Sequence, residues 1–259
     1  MTKELQGRTA VVTGASKGIG LAVTQALAAA GAHVVAGSRT ASEGLEALVA
    51  DGNASWVPVD LTRPEGPAAL IAAAGGRIDI LVNNVGSAPA RPGGFLSVTE
   101  EQWRRTMELN LFVPVAVTRA VLPRMVEAGR GCVITIGSVN ATLPDPLVVD
   151  YSAAKAALVN FSKALSKEFG PQGVRINSVS PGPVETELWL GGGGVAATVS
   201  AASELTPEEV AAKAAGATVT GRFSHPSEVA ELVLFLAGDR APNVIGSNVT
   251  VDGGFIPTW

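Results

Sequence analysis

Short runs of β-branched and other apolar residues recur along this chain and alternate with longer segments of helical periodicity. The apolar runs lack a polar residue at every second position, which is typical of strands buried on both faces of a parallel sheet. We therefore predict strands at 8–13, 32–37, 55–59, 78–83, 131–137, 174–180 and 247–251. Helices are predicted between them, at 18–30, 42–50, 65–74, 99–128, 150–169 and 226–238.

This order of elements predicts the α/β class. Strands joined through helices by right-handed crossovers give a Rossmann-type doubly wound parallel sheet of about seven strands, with helices on both faces. No linker divides the chain, so we expect a single domain over 1–259. The stretch 184–220 interrupts the pattern with Gly191–Gly194 and Ala/Ser-rich sequence. It is predicted to be a substrate lid, the alternative being a loop with short helices that only covers the fold.

Composition narrows the class of protein. Hydrophobic residues make up 47% and charged residues 16%, and the net charge is −4 with no Lys/Arg run. These values indicate a globular protein and argue against nucleic acid or an anionic membrane as a partner. No secretory signal or membrane span is predicted, and the single cysteine, Cys132, is expected to be a buried thiol. We expect a cytoplasmic protein without a metal site.

The first strand runs directly into a glycine-rich turn, TGASKGIG, at 13–20. Glycines in such a turn allow close approach of a pyrophosphate, and the helix that follows supplies N–H donors. The spacing is G-x3-G-x-G, and the alternative is a purely structural turn. The strand–turn–helix context predicts a dinucleotide site that includes Gly14, Ser16, Lys17, Gly18, Ile19 and Gly20.

The end of the second strand indicates which dinucleotide binds. An acidic residue there would hydrogen-bond the ribose 2′-hydroxyl of NAD, but the chain has Ser38, Arg39 and Thr40. Together with Lys17, this favours a 2′-phosphate, so we predict NADP(H); the alternative is that both cations are solvated surface charges. The ends of the third and fourth strands are expected to line the same crevice with Asp60, Leu61, Asn84 and Gly86.

The only tyrosine, Tyr151, stands four positions before Lys155 in YSAAK, and Ser138 lies upstream in ITIGSVN. Residues four apart share a helix face, so the ammonium is expected to lower the phenol pKa from about 10 and make it a usable proton donor. A chance pair on a helix surface is the alternative. Asn110, polar among apolar neighbours in MELNLF, is expected to bend its helix, to serve the site, or both.

In this order, TGASKGIG, NNVG, Asn110, Ser138, YSAAK and SPGPVET resemble the short-chain dehydrogenase/reductase family of the compact single-domain type. The resemblance covers essentially the whole chain and looks closest to 3-oxoacyl-carrier-protein reductases. Val85 stands where alanine is usual, and SVSPGPV replaces the more frequent AVAPG. The resemblance implies an oxidoreductase that transfers a hydride between NADP(H) and a carbonyl or secondary alcohol.

The resemblance also implies a role for each site residue. Tyr151 would be the general acid, and Lys155 would lower its pKa and bind the nicotinamide ribose. Ser138 would polarise the substrate oxygen, and Asn110 would anchor a water linked to Lys155. The segment that fixes the carboxamide would include Pro181, Gly182, Val184 and Thr186.

The substrate is left open by the sequence. Apolar residues of 141–150 and 187–202 indicate an apolar pocket, or simply pack: Leu143, Leu147, Val148, Leu188, Trp189 and Leu190. Gln172 stands where carrier-protein reductases often have a basic residue, although Arg124 and Arg130 remain as contacts for an acidic carrier. A carrier-bound 3-oxoacyl thioester and a small or secondary-metabolite ketone are therefore both open.

Two other classes of protein compete with this interpretation. One is an NAD-dependent alcohol dehydrogenase of the same fold. The other is a non-catalytic dinucleotide-binding regulator, which would have no need of the four polar residues Asn110, Ser138, Tyr151 and Lys155 together.

A homotetramer is expected from apolar positions that one sheet face cannot cover. These lie on the helices at 99–128 and 150–169, which form a dimer interface in the family, and include Leu109, Phe112, Val113, Leu158 and Phe161. The C-terminal tail adds Phe255, Ile256 and Trp259, which would form an exposed apolar patch on a monomer. The alternative is a tail that folds back over its own sheet.

Overall fold

The structure, a computed structural model, describes residues 3–258 and is built around a seven-stranded sheet in which every neighbouring pair is parallel. The strand order is β3-β2-β1-β4-β5-β6-β7. The strands are β1 Thr9–Thr13, β2 His33–Ser38, β3 Ala54–Pro58, β4 Ile80–Asn83, β5 Gly131–Ile136, β6 Val174–Pro181 and β7 Asn248–Val251. The predicted fold class, with about seven parallel strands, is confirmed.

Helices cover both faces of the sheet. They are α1 Gly18–Ala29, α2 Glu43–Ala50, α3 Gly66–Ala73, α4 Glu100–Met107, α5 Val113–Glu127, α6 Val149–Phe169, α7 Glu187–Leu190, α8 Val195–Ser200, α9 Pro207–Gly216 and α10 Pro226–Ala237. Successive strand residues point to opposite faces, so Val12 belongs to the apolar cluster shared with α1 and α10. Its neighbour Val11 belongs to the cluster shared with α3 and α5.

The predicted helix at 99–128 is interrupted, which corrects the prediction of one regular helix. α4 ends at Met107, a π-helical turn occupies Glu108–Phe112, and α5 begins at Val113. Asn110 lies in this turn and is fully buried. Single π-helical turns inside helices are frequent at functional sites, so bending and a role in the site can coexist at this position.

Two of the five positions offered as interface residues belong to the core instead. Val113 and Leu158 are each 1% exposed and pack inside their own subunit. Phe112 is 52% exposed, and Leu109 and Phe161 are partly exposed. In the tail, Phe255 and Ile256 are also only partly exposed, while Trp259 lies outside the described residues.

The stretch 184–220 forms α7, α8 and α9 and returns close to where it starts. Val184 forms an isolated bridge with Ser224, and the Glu185 amide donates to the Ser224 carbonyl at 2.9 Å. Trp189 packs edge-on against Phe223, with ring centroids 5.2 Å apart. The two stems of the segment are therefore joined at its base.

The helical run Glu100–Glu127 is long and apolar enough, by length and composition alone, to cross a membrane. A core helix of a globular domain passes the same test. Here the buried side chains of Val113, Val117 and Val121 pack against the sheet, as in such a core helix.

Candidate active site

The polar residues expected to do chemistry meet beyond the carboxyl end of β5. Ser138 follows that strand, and Tyr151 and Lys155 lie one helical turn apart near the start of α6. The Lys155 ammonium lies 5.6 Å from the centroid of the Tyr151 ring. Lys155 is 3% exposed and donates a hydrogen bond to the Ile136 carbonyl at 2.8 Å.

Burial governs the protonation of both groups. It lowers the pKa of Lys155 from 10.5 to about 8, because the charged ammonium is disfavoured away from water. It also raises the pKa of Tyr151, against a hydrogen bond with Ser138 that acts in the opposite direction. The expectation of a lowered tyrosine pKa is therefore wrong, because burial outweighs the Ser138 hydrogen bond and leaves the pKa of Tyr151 raised.

Ser138 has a partner that sequence reasoning missed. Its hydroxyl donates to Oδ1 of Asn140 at 3.1 Å and accepts from the Asn140 amide at 3.1 Å. Ser138 is 6% exposed, so its rotamer is fixed by this short turn. Asn140 follows Ser138 by two positions, and no pattern in the sequence singles it out as a partner of that serine.

Asn110 is held by backbone groups on two segments. Its Nδ2 donates to the Ser87 carbonyl at 2.9 Å and the Thr106 carbonyl at 3.0 Å, and its Oδ1 accepts from the Ser87 amide at 3.2 Å. A Cβ added at Gly86 would lie 2.7 Å from that Oδ1 and 3.5 Å from Nζ of Lys155. Close packing against Asn110 therefore leaves no room for a side chain at Gly86, which stays a predicted cofactor residue.

A buried ion pair next to Tyr151 was not anticipated. Asp150 is fully buried, and its Oδ2 accepts from Arg91 Nη2 at 2.6 Å and from Thr106 Oγ1 at 2.7 Å. Burial alone would raise the pKa of Asp150, but these hydrogen bonds outweigh it and leave the pKa below its usual range. The sequence clue was an acid placed directly before Tyr151 in the apolar run PLVVD.

The glycine turn after β1 has the backbone that a dinucleotide requires. Gly14 and Gly18 have φ angles of 65° and 53°, a region that favours glycine. A Cβ at Gly20 would lie 2.1 Å from the Gly14 carbonyl oxygen, so this glycine seats α1 against the turn. The side chain of Asn84 crosses to the turn and donates to the Thr13 and Gly14 carbonyls at 3.0 and 3.1 Å.

The two cations predicted to meet a 2′-phosphate differ: Arg39, after β2, has an exposed side chain, and Lys17, in the glycine turn, is paired. Arg39 is exposed beside the turn that contains Ser38. The Ser38 hydroxyl donates to the Thr40 carbonyl at 2.9 Å and accepts from Trp56 Nε1 at 3.1 Å, a contact that the sequence did not reveal. Lys17 is exposed too, but its ammonium lies 2.5 Å from Oε2 of Glu187 on α7.

The remaining predicted cofactor residues lie along the same edge of the sheet. Asp60 accepts from the amide and hydroxyl of Thr62 at 3.0 and 2.7 Å, and these bonds lower its pKa. A Cβ at Gly18 would lie 3.1 Å from Cγ2 of Thr186, so the segment after β6 reaches the glycine turn. Leu61, Pro181 and Val184 are buried, and Ser16, Ile19 and Gly182 are partly exposed.

These residues fit a nicotinamide dinucleotide. The turn has two glycines with positive φ, and Lys17, the N-cap of α1, makes no side-chain cap, so the first N–H groups of α1 have no side-chain acceptor there. No carboxylate stands at the end of β2 to oppose a phosphate there. Within residues 3–258, no three His, Cys, Asp or Glu side chains cluster as a metal site would need.

Comparison with known proteins places the chain among enzymes of one family. A family model described as enoyl-(acyl carrier protein) reductase matches residues 14–256. D-threitol dehydrogenase of Mycolicibacterium smegmatis is 38% identical over 97% of this chain and 94% of its own length. The 3-oxoacyl-[acyl-carrier-protein] reductase of Escherichia coli is 34% identical over 96% of this chain and 97% of its own.

Solved structures agree over the full length of the chain. L-sorbose reductase from Gluconobacter frateurii, in complex with NADPH and L-sorbose, has a TM-score of 0.91 and 31% identity. A protein described as an NAD(P)-dependent gluconate 5-dehydrogenase from Beutenbergia cavernae, with bound NADP, has a TM-score of 0.87 and 34% identity. Each comparison covers 100% of both chains, and the bound cofactors agree with the predicted NADP(H). With its glycine turn, its Ser–Tyr–Lys cluster and relatives matched from end to end, this chain belongs to the short-chain dehydrogenase/reductase family.

Proposed function

We propose that this chain is an NADP(H)-dependent oxidoreductase that interconverts a ketone and a secondary alcohol, acting chiefly as a ketone reductase. The observation that carries the proposal is the pairing of a buried ammonium with the only phenol of the chain, 5.6 Å from the ring centroid. Ser138, at the same sheet edge, supplies a hydroxyl donor. Burying the Lys155 ammonium costs its hydration, and a regulator that only binds a dinucleotide would gain nothing in return.

Bound NADPH would supply the hydride, and the residues of the chain would manage the proton. Tyr151 donates its proton to the carbonyl oxygen. Burial raises its pKa, so the phenol carries the proton at neutral pH and its release depends on groups that stabilise the phenolate as it forms. Ser138 turns its hydroxyl from Asn140 towards the same oxygen, where negative charge develops. Lys155, with a pKa of about 8, stabilises the phenolate in its charged form and can exchange a proton near neutral pH.

Preference for NADP(H) over NAD(H) is part of the proposal. Exposed Arg39 follows β2, where an acidic residue would suit NAD. Lys17 adds a second cation, although its pairing with Glu187 makes it the weaker candidate. An NAD-dependent alcohol dehydrogenase of the same fold is the alternative, and the ratio of kcat/KM for NADPH and NADH separates the two.

A free ketone is favoured over a carrier-bound thioester as the substrate. The two arginines considered for carrier docking are engaged elsewhere: Arg130 pairs with Asp79 at 3.2 Å, and Arg124 donates to the Gly75 carbonyl at 2.6 Å. Arg130 and Asp79 precede β5 and β4, so they lie at the amino ends of these strands, whereas Ser138 follows the carboxyl end of β5. A screen of L-sorbose, 5-ketogluconate, small diketones and 3-oxoacyl-carrier thioesters tests this; turnover of the thioester alone would contradict it.

The segment 184–220 is proposed as the lid, because it reaches the glycine turn through Thr186 and the Lys17–Glu187 pair. Amides of α7 to α9 should then gain protection from hydrogen exchange when NADPH binds, which a mere cover would not show. We also propose a cytoplasmic homotetramer, with assembly tested below. Fractionation of the native host that recovers the protein with membranes would contradict the location.

Tyr151→Phe tests the central assignment. The variant keeps the ring but loses the proton donor, so we expect turnover to fall by about 100-fold or more while NADPH affinity changes little. The measurement is single-turnover oxidation of NADPH, with cofactor affinity from fluorescence titration of the same preparation. Retention of a tenth of wild-type turnover, with chemistry rate-limiting, would contradict the role of Tyr151.

A further inference from the structure

A buried network of charged and polar side chains surrounds the first turn of α6, and the proposed chemistry does not use it. Its centre is Asp150, which is fully buried and directly precedes Tyr151. Arg91, whose side chain is 11% exposed, approaches the carboxylate with Nη2 at 2.6 Å and Nε at 3.3 Å. The Thr106 hydroxyl donates to the same Oδ2 at 2.7 Å.

The network joins the three segments that carry the site. Asp150 stands on α6 with Tyr151 and Lys155, and Arg91 stands on the loop after β4. The backbone amide of Arg91 also donates to the Leu147 carbonyl at 2.7 Å, which ties this loop to the approach to α6. Thr106 connects the network to the π-helical turn, because its carbonyl accepts from Nδ2 of Asn110 at 3.0 Å.

The start of α6 depends on this carboxylate. Val148 at the N-cap offers no side-chain hydrogen bond, and Asp150 is the only acidic residue of the first turn. A negative charge there interacts favourably with the helix dipole. No N-cap side chain fixes the entry of α6. Ser152 ties the first turn to the preceding Asp145, and the contacts of Asp150 fix the same turn, which includes Tyr151, against the Arg91 loop and Thr106.

Stability alone is a weak reason for such a pair. Two charges lose hydration when they are buried, and apolar residues of the same shape often stabilise a fold equally well. A guanidinium that binds a carboxylate through two N–H groups also fixes the relative geometry of the two side chains. Removing either Arg91 or Asp150 leaves the other charged and buried without its partner. We therefore expect the first turn of α6 or the loop that contains Arg91 to shift.

The geometry points to Asp150, held by Arg91 and Thr106, as a positioning residue that fixes the Tyr151 hydroxyl relative to Ser138 and Lys155. This inference rests on the proposed function, since it assigns Tyr151 as the group that must be placed. The residue that touches substrate remains Tyr151. Arg91 and Asp150 act only through the placement of α6 against the loop and the π-helical turn.

The first test does not need a substrate. Tyr151 is the only tyrosine of the chain, so the phenolate absorbance of the native protein titrates this group alone. The charged groups packed around it are Lys155 and Asp150 on α6 and Arg91 on the facing loop. In Asp150→Asn the loss of a neighbouring carboxylate and the loosening of the enclosed site both favour the phenolate, so its titration should move to lower pH. Arg91→Lys, which keeps the charge but not the fork, should shift it less.

The second test is kinetic. Asp150→Asn should lower kcat by about 10-fold to 100-fold, as a small misplacement of a catalytic group can. KM and the affinity for NADPH should change by less than about twofold, because Asp150 and Arg91 are not among the residues proposed to bind substrate or cofactor. Adding Arg91→Met to Asp150→Asn should cost little more, because residues of one network are not additive. The matched control is Asp239→Asn, which breaks the ion pair with Arg8 at the opposite edge of the sheet and should leave both readouts unchanged.

A lower melting temperature for Asp150→Asn, with an unshifted Tyr151 titration and an unchanged kcat per folded molecule, would overturn the inference and leave a purely structural pair. If Asp150→Asn fails to fold, Arg91→Lys carries the same comparison. If wild-type protein turns over none of the ketones screened, the proposed function fails. The phenolate titration of Arg91→Lys, which keeps every charge, still tests the network, and an unshifted titration there would mean that the network does not position Tyr151.

Discussion

Lys155 offers a residue-scale test that depends on pH. Its pKa of about 8 in the folded chain lies below the ordinary value of 10.5, so the unfolded chain binds more protons between these values. Stability should therefore rise as the pH rises from about 8 towards 10, while below pH 8 the burial cost is fully present. For this buried group we expect a gain of about 2–3 kcal/mol in the free energy of unfolding.

The measurement is urea denaturation at pH 7, 8, 9 and 10 for wild type and Lys155→Met. Burial raises the pKa of Tyr151 and Cys132, and these groups oppose the rise at high pH in both proteins. The difference between the two proteins reports Lys155 together with its effect on the neighbouring Tyr151, and the Cys132 contribution cancels. An identical pH dependence in both would show that the ammonium is hydrated in the native protein.

Arg39 is the residue on which cofactor preference should depend most. It is exposed at the end of β2, whereas the charge of Lys17 is already shared with Glu187. Arg39→Asp should weaken NADPH binding by about 10-fold to 100-fold, the size of one or two charge-assisted contacts, and should spare or improve NADH binding. Lys17→Ala should have a smaller effect on NADPH.

Fluorescence titration with both cofactors makes the comparison. Lys167→Glu, an equal change of charge at an exposed position near the end of α6, is the control. Equal affinity of the wild type for NADPH and NADH, unchanged by Arg39→Asp, would refute the preference.

Sequence reasoning picked out the residues proposed to do chemistry, but not the side chains that contact them. Tyr151, Lys155 and Ser138 stand out because their types and spacing suit proton transfer. Asn140 and Arg91 do not, because their roles depend on contacts across segments that local pattern does not encode. For the same reason the direction of the Tyr151 pKa shift was wrong: charge pairing can be read from spacing, but the depth of burial cannot.

At the scale of elements, the π-helical turn and the loop after β4 act as one unit through Asn110. Gly86→Ala should disrupt it, because the new Cβ would lie 2.7 Å from Oδ1 of Asn110 and the φ angle at Gly86 adds no strain of its own. We expect a loss of about 1–3 kcal/mol of stability and at least tenfold in kcat, since Lys155 is the next neighbour.

Gly76→Ala provides the matched control, because nothing lies within 4 Å of a Cβ at that position and its φ is not positive. Thermal unfolding and initial rates are measured on both variants. Asn110→Ala in the Gly86→Ala background should recover part of the stability by removing the clashing oxygen. If Gly86→Ala is as stable and as active as the wild type, the loop after β4 accommodates the added methyl group without a loss of stability.

Element boundaries were largely predictable because unbroken apolar runs and Gly-rich turns mark them. β5 was predicted at 131–137 and observed at Gly131–Ile136, and β6 at 174–180 and observed at Val174–Pro181. The π-helical turn was not predicted as such, because a polar Asn110 among apolar neighbours fits a regular helix as well as an interrupted one. β4 starts at Ile80, two residues later than predicted, although the Asp79 amide still donates to the Thr9 carbonyl at 2.9 Å.

For the whole molecule, the surface of α4 and the π-helical turn is the candidate interface. Glu100, Trp103, Arg104, Met107, Glu108 and Phe112 line a shallow groove there. Phe112 is 52% exposed, which is high for a phenylalanine at the edge of a helical core. Nearby Leu96 and Phe95 are 95% and 61% exposed, so the apolar surface extends beyond the groove.

We expect wild-type protein to run as a homotetramer by light scattering at micromolar concentration. Phe112→Glu should reduce it to smaller species, because a charge in a self-complementary contact is repeated on both partners. Val49→Glu on α2, at a position 38% exposed, is the control and should leave the mass unchanged.

Deleting the residues after Gly254 removes the partly exposed Phe255 and Ile256 and should lower the mass towards a dimer if the tail contributes the second contact. A tail that only covers its own sheet would instead lower the melting temperature at constant mass, and a monomeric wild type would refute the assembly altogether.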